Sequence, residues 1–201
     1  NDAFQKNSIA DFLDTVCDSE NVIIWSDLDE IPNPEVIENV TDFYIPGKVY
    51  NFAQEYCMCY LNYVEKTGVY GSQTHDFDYE DYPKWIGTKM FDFSFLEKYA
   101  LTDMKRDLMY CRQAFWTYVG SEGASVEDRV ITKLESAAHQ EHNNDSVKKA
   151  IIDRLNNNQD PLGRGQGKYE TVEVDDSYPD FILKNKEHYS YLIKDVSNWD
   201  Y

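Results

Sequence analysis

The sequence predicts an α/β domain, and three observations point there. Val22-Ile-Ile-Trp25 is an unbroken apolar run, which suits a strand buried on both faces of an α/β sheet. A second strand signal, residues 113–119, runs into the loop 120–125 and then into an amphipathic helix. The chain has 201 residues, 42% of them hydrophobic, which is enough for one domain with a substantial core.

The elements follow in order. Residues 8–17 carry Ile9, Phe12, Leu13 and Val16 on one helical face, with Ser8 and Asp11 as a capping box. The strand at 22–25 ends in Ser26, Asp27, Leu28, Asp29 and Glu30, and Pro32 and Pro34 keep it from continuing. Residues 36–40 form a short amphipathic turn. Strand-like segments 43–45 and 49–52 meet at Pro46-Gly47, and residues 56–64 read as a further strand. The acidic stretch 71–84 reads as a loop, and two short helical stretches follow around 93–99 and 102–108. Ser125 and Asp128 cap a helix whose buried stripe is Val130, Leu134, Ala137 and Ala138. A second helix over 146–156 turns Val147, Ala150, Ile151 and Leu155 inward. A loop over 156–168 carries Arg164, residues 169–174 alternate like an edge strand, and a helical segment at 179–193 closes the chain. Neither a repeat nor a linker divides it, so one domain is expected over residues 1–201.

Composition narrows the partners. With 37 acidic and 19 basic residues the net charge is −18, and such a field repels nucleic acids and anionic membranes. An anionic substrate therefore needs a local cation, either a metal or a few Lys and Arg side chains. No apolar run reaches the roughly 18 residues of a membrane span, and no signal peptide is visible. The four cysteines lack Cys-x-x-Cys spacing and read as free or buried thiols of a reducing compartment. Sixteen tyrosines serve either a core or a sugar-binding cleft, and composition alone leaves both uses open.

The acidic turn carries the chemistry. Ligands of open α/β sheets sit beyond the carboxyl ends of the strands. Asp27 and Asp29 alternate to one side of an extended segment, and two converging carboxylates suit a hard divalent cation that can hold a diphosphate.

Ser-Asp-Leu-Asp-Glu-Ile-Pro at 26–32 resembles the metal-binding motif of glycosyltransferase family 17. Further similarities come in the family's order: Trp85-Ile-Gly-Thr-Lys89, Phe115-Trp-Thr-Tyr-Val-Gly120, Lys133-Leu-Glu-Ser-Ala-Ala-His-Gln-Glu141, Asp160-Pro-Leu-Gly-Arg164 and Tyr178-Pro-Asp-Phe-Ile-Leu-x-Asn185. The family's Trp-His pair, however, falls on Ala114 and Phe115. The resemblance implies a Rossmann-like A-type glycosyltransferase fold, a UDP-sugar donor (UDP-N-acetylglucosamine in the family), a glycan acceptor and Mn²⁺ or Mg²⁺. It also implies nucleotide-binding strands ahead of the acidic motif. The chain is accordingly expected to be the C-terminal part of a longer family domain, with most uridine contacts outside it. A cytoplasmic setting, as in microbial and viral relatives, is expected rather than the Golgi lumen.

Roles follow from that resemblance. Asp29 is the first choice as direct metal ligand, Asp27 reaches the ribose or a metal-bound water, and His139 is a further metal or phosphate ligand. Lys89 and Arg164 pair with the diphosphate. An inverting transfer needs a carboxylate to deprotonate the acceptor hydroxyl, and Glu127, Asp128 and Glu122 are the candidates. Two rival readings remain. A haloacid-dehalogenase-type phosphatase would use Asp27 and Asp29 as nucleophile and acid, although Ile31 and the lack of a later Gly-Asp-x-x-x-Asp speak against it. A non-catalytic relative would bind glycan without turnover.

Overall fold

The computed structural model describes residues 2–27, 30–66, 85–96, 110–118, 124–136, 140–164 and 168–196. The chain is mixed α/β and divides into two compact units, each built from two chain segments. The first comprises Asn1–Gln54 and Ile86–Ala114, the second Glu55–Trp85 and Phe115–Tyr201. Nothing in the composition of 1–201 hints at this division.

In the first unit, helix α1 (Asp2–Leu13) precedes strand β1 (Val22–Trp25). Ser8 and Asp11 therefore lie inside α1 instead of capping it, because the helix begins a turn and a half earlier. Strand β2 (Glu30–Pro32) leads into α2 (Pro34–Asp42). Asn33 caps α2 by accepting from the Glu35 N–H at 2.9 Å, and Pro34 takes the first turn, where no N–H is needed. Residues 43–45, expected as a strand, form the turn out of α2 instead. Strands β3 (Tyr50–Met58), β5 (Trp85–Asp92) and β6 (Tyr110–Tyr118) follow here, with residues 55–58 of β3, Trp85 of β5 and residues 115–118 of β6 counting to the second unit, as do β4 (Tyr63–Glu65) and β7 (Tyr169–Thr171). The order β1–β5–β3 holds within the first unit, and β2 pairs with β6.

The pairing of β1 corrects one expectation. It lies antiparallel to β5, with Val22 opposite Asp92 and Trp25 opposite Lys89, and it is not buried on both faces. Val22 and Ile24 are 40% and 43% exposed, while Ile23 and Trp25 pack beside Val49 and Phe91. An antiparallel strand covered on one face explains the alternation, which an all-apolar run cannot reveal. Val40, Tyr50, Phe52 and Met90 form a second core cluster, closed by Val36 and Ile37 of α2.

The second unit is built on a hairpin. What the sequence presents as one strand over 56–64 is the end of β3, a turn, and β4, with Cys57 opposite Val64. Cys59 takes φ 68° in that turn, a left-handed conformation rare for a side chain with a Cβ. β7 adds antiparallel to β4, and its Tyr169 stacks on Tyr63 with ring centroids 4.7 Å apart. Helices α3 (Val126–Ser136), α4 (Asp145–Lys149) and α5 (Ile151–Asn156) bring Val130, Leu134, Val147, Ile151 and Leu155 into the same cluster as Tyr63 and Tyr169. The helix expected over 146–156 is broken at Ala150, which is only partly buried, while Val147, Ile151 and Leu155 turn inward as the periodicity marks. Short helix α6 (Asp180–Lys184) and a 3₁₀ turn at Ser190–Leu192 replace the long closing helix, and Leu192 and Tyr178 pack with Leu61 and Val174. Tyr50, Tyr63, Tyr169, Tyr56 and Tyr178 are all buried, so these five tyrosines serve the core.

Cys57 and Cys59 are buried thiols. Burial pushes the Cys59 thiol up to about 12 from its ordinary 9.0. A group that keeps its proton longer when folded contributes fully below pH 9 and loses that contribution as the pH rises toward 12. Urea unfolding followed across this window should therefore show falling stability. The Cys59→Ala variant should be less stable at neutral pH but decline less steeply, by up to about 1.4 kcal/mol per pH unit. An unchanged slope would contradict the burial of this thiol.

Candidate functional site

The acidic turn is shaped by a carboxylate that the sequence reading passes over. Glu30 is only 5% exposed. Its Oε2 accepts the Asp27 N–H at 3.2 Å, and its own N–H donates to the Asp27 carbonyl at 3.0 Å. These two bonds tie Glu30 to Asp27 directly after β1, with Glu30 buried and Asp27 exposed. Burying an ionisable group demands such partners, since an unpaired one costs several kcal/mol or gives up its charge.

A chain of hydroxyls and an amide ties this turn to β5. Ser26 Oγ donates to the Glu30 carbonyl at 2.5 Å and lies 2.8 Å from Thr88 Oγ1. A serine has one hydroxyl proton, so Thr88 is the donor in that second contact. Thr88 Oγ1 in turn accepts from Gln54 Nε2 at 3.3 Å, and Gln54 Oε1 accepts the Thr88 N–H at 3.2 Å. Gln54 and Thr88 are fully buried. Between these partners sits Gly87, where a Cβ would run into Glu30 Oε1 and Gln54 Oε1. A side chain at position 87 would force the ends of the Glu30 and Gln54 side chains to move out of their hydrogen bonds.

The Ser26–Pro32 and Trp85–Lys89 motifs, separated by more than fifty residues, thus meet in the first unit. Lys89 stands opposite Trp25, is half-buried, and donates from Nζ to the Gly87 carbonyl at 3.0 Å. It shares the strand end with exposed Asp27. Glu30, Ser26, Thr88 and Gln54 were not singled out from sequence. The available signal was the Glu following Asp-x-Asp together with a glycine inside an apolar strand, a sign of close approach.

The remaining candidates belong to the second unit. Ser125 caps α3 as expected: it accepts the Asp128 N–H at 3.1 Å and donates to Asp128 Oδ2 at 2.7 Å. Asp128 is thereby engaged in a capping box, while Glu127 is exposed in the same first turn. Arg164 pairs through Nε with Asp160 Oδ2 at 2.6 Å and reaches Tyr56 Oη at 3.5 Å. Asp160 is 2% exposed and also accepts the Leu162 N–H at 2.8 Å, so the Asp-Pro-Leu-Gly-Arg motif is a loop folded around its own aspartate. Asp29, Glu122 and His139 lie outside the described residues.

Among the described residues no group of three or more His, Cys, Asp and Glu side chains is assembled for a metal. The donor at hand is the exposed carboxylate of Asp27, a hard oxygen ligand of the kind that suits Mn²⁺ or Mg²⁺. Among the described residues, no helix is long and apolar enough to cross a membrane.

Ser26→Ala should lower stability by about 1–3 kcal/mol, because it removes a donor to the Glu30 carbonyl and the acceptor of the Thr88 hydroxyl proton in a part-buried site. Urea midpoints measure this, and a variant as stable as the parent would contradict the hydroxyl chain.

Comparison of the chain with family models, with curated proteins and with solved structures gave no match.

Proposed function

We propose that the chain is a metal-dependent inverting glycosyltransferase that moves a sugar, N-acetylglucosamine first among the choices, from a UDP-sugar to a glycan acceptor. The observation that supports this best is the junction of the acidic turn with β5. It presents Asp27 outward at a strand end and sets Lys89 in the neighbouring strand, two residues back in register. That combination suits a diphosphate held by a cation and a carboxylate-bound metal.

In this reading Asp29, with Asp27, holds Mn²⁺ or Mg²⁺. A metal held there would supply neutralisation of charge on the departing UDP. Among the candidate bases, all in the second unit, Asp128 is engaged by Ser125, which leaves Glu127 as the carboxylate to test. The base takes the acceptor hydroxyl proton, the acceptor oxygen bonds to the sugar's anomeric carbon, and the bond from that carbon to the UDP oxygen breaks. The electron pair leaves with UDP, and the anomeric configuration inverts. Arg164 is held by Asp160 and Tyr56, so its part is to shape its loop, and Lys89 is the better diphosphate partner.

Calorimetric titration of Mn²⁺ should give a site in the parent that Asp29→Ala loses. UDP-N-acetylglucosamine should be hydrolysed or transferred only with metal present, and Glu127→Gln should reduce that turnover about 10²-fold or more. Equal Mn²⁺ binding by parent and variant would remove the basis of the assignment. Metal-dependent phosphate release from p-nitrophenyl phosphate, lost in Asp27→Asn, would establish the phosphatase reading instead.

A further inference from the structure

The second unit carries an open cleft of about 490 Å³ whose walls include Tyr60, Asn156, Asn158, Thr171, Lys194 and Asp195. None of these residues has a part in the transfer described above. The volume lies in the range of small-molecule sites, which run from about 300 to 1,000 Å³. The lining combines a tyrosine ring, two amides, a hydroxyl, a carboxylate and an ammonium group.

The ammonium decides what kind of ligand fits. Lys194 Nζ donates to the Leu155 carbonyl at 2.7 Å and to Asn158 Oδ1 at 3.2 Å, and it sits 4.4 Å from the centroid of the Tyr63 ring. Two of its three protons are spent on carbonyls and its charge rests against an aromatic face. Burial also holds its pKa below that of an ordinary lysine. This cation therefore belongs to the wall and has little left to offer an anion. Asp195 adds a negative charge at the rim, within a chain of net charge −18. The acidic field of the chain works against anionic ligands.

What the wall does offer is paired donors and acceptors. By holding Asn158 Oδ1, Lys194 fixes which end of that amide is which and leaves the two Nδ2 protons as donors. The backbone of Asn158 is itself pinned in a left-handed conformation (φ 53°), with its carbonyl accepting the Tyr169 N–H at 3.1 Å. Exposed Asn156 at the end of α5 supplies a second amide, Thr171 a hydroxyl and Asp195 an acceptor. Tyr60 is held by the Arg129 guanidinium 5.6 Å from its ring centroid. Neighbouring hydroxyls, each both donor and acceptor, match amides and a carboxylate in this way, and an aromatic wall suits the C–H face of a sugar ring.

We infer that this cleft is a binding subsite for a neutral saccharide. The proposed transferase function guides only the choice of probe, because the site needs neither metal nor UDP.

The test is saturation-transfer NMR on the full chain in EDTA, with N-acetylglucosamine and its β1,4-linked dimer as neutral probes and glucuronic acid as the anionic one. The neutral sugars should receive saturation. Asn156→Ala and Asp195→Asn, both at exposed positions, should each weaken binding about fivefold or more, the loss of about one hydrogen bond, at unchanged melting temperature. No transfer to either neutral sugar, equal binding by parent and both variants, or tighter binding of glucuronic acid would each overturn the inference. Sugar binding by a chain that takes up no Mn²⁺ would leave this subsite standing while removing the transferase reading.

Discussion

A buried carboxylate governs the first unit. Glu30, nearly out of contact with water, needs hydrogen-bond partners, and it finds one in the backbone N–H of Asp27. That bond ties Glu30 to Asp27 directly after β1, with Asp27 on the exposed side. The Glu30 side chain needs room, and the backbone of β5 gives it at Gly87. The Glu30 carbonyl needs a donor, and Ser26 supplies one while accepting from Thr88, which Gln54 holds from β3. Three strands are thus committed to one geometry by a side chain that does no chemistry in the proposed reaction.

The second unit rests on a different device, a hairpin whose turn puts Cys59 into a left-handed conformation. The Tyr63 ring of this hairpin both stacks on Tyr169 and meets the ammonium of Lys194. The loop at 160–164 is organised in turn by buried Asp160, and Gly163 (φ 72°) lets it pass beside the Arg154 guanidinium. Buried acidic groups in both units do structural work, so an acidic composition is a poor guide to which carboxylates face a ligand.

Much of this was legible from sequence. The capping box of Ser125 and Asp128, the inward positions Val130, Leu134, Val147, Ile151 and Leu155, and the loop around Arg164 all follow from short-range rules. So does the end of β1, where polar residues and prolines stop an apolar run. What was illegible depends on partners far along the chain. The one-sided burial of β1 follows from its antiparallel pairing with β5, which no local pattern encodes. The turn inside 56–64 is hidden because Cys59, in place of a glycine, takes the left-handed position. The break at Ala150 has no local signal. At the candidate site, attention to Asp27 and Asp29 missed the roles of Glu30 and Gly87, because a buried carboxylate and the gap it fills are recognised only when the two strands are seen together.

The central claim is that Glu30 packs against Gly87 and fixes the acidic turn on β5. A double-mutant cycle tests it most directly, with unfolding free energies measured for the parent, Gly87→Ala, Glu30→Ala and the double variant. Gly87→Ala alone should cost about 2–3 kcal/mol through overpacking. In the Glu30→Ala background, where one of the two blocking side chains is gone, that penalty should shrink by about 1 kcal/mol or more. Additivity within about 0.5 kcal/mol would contradict the contact and the site geometry built on it.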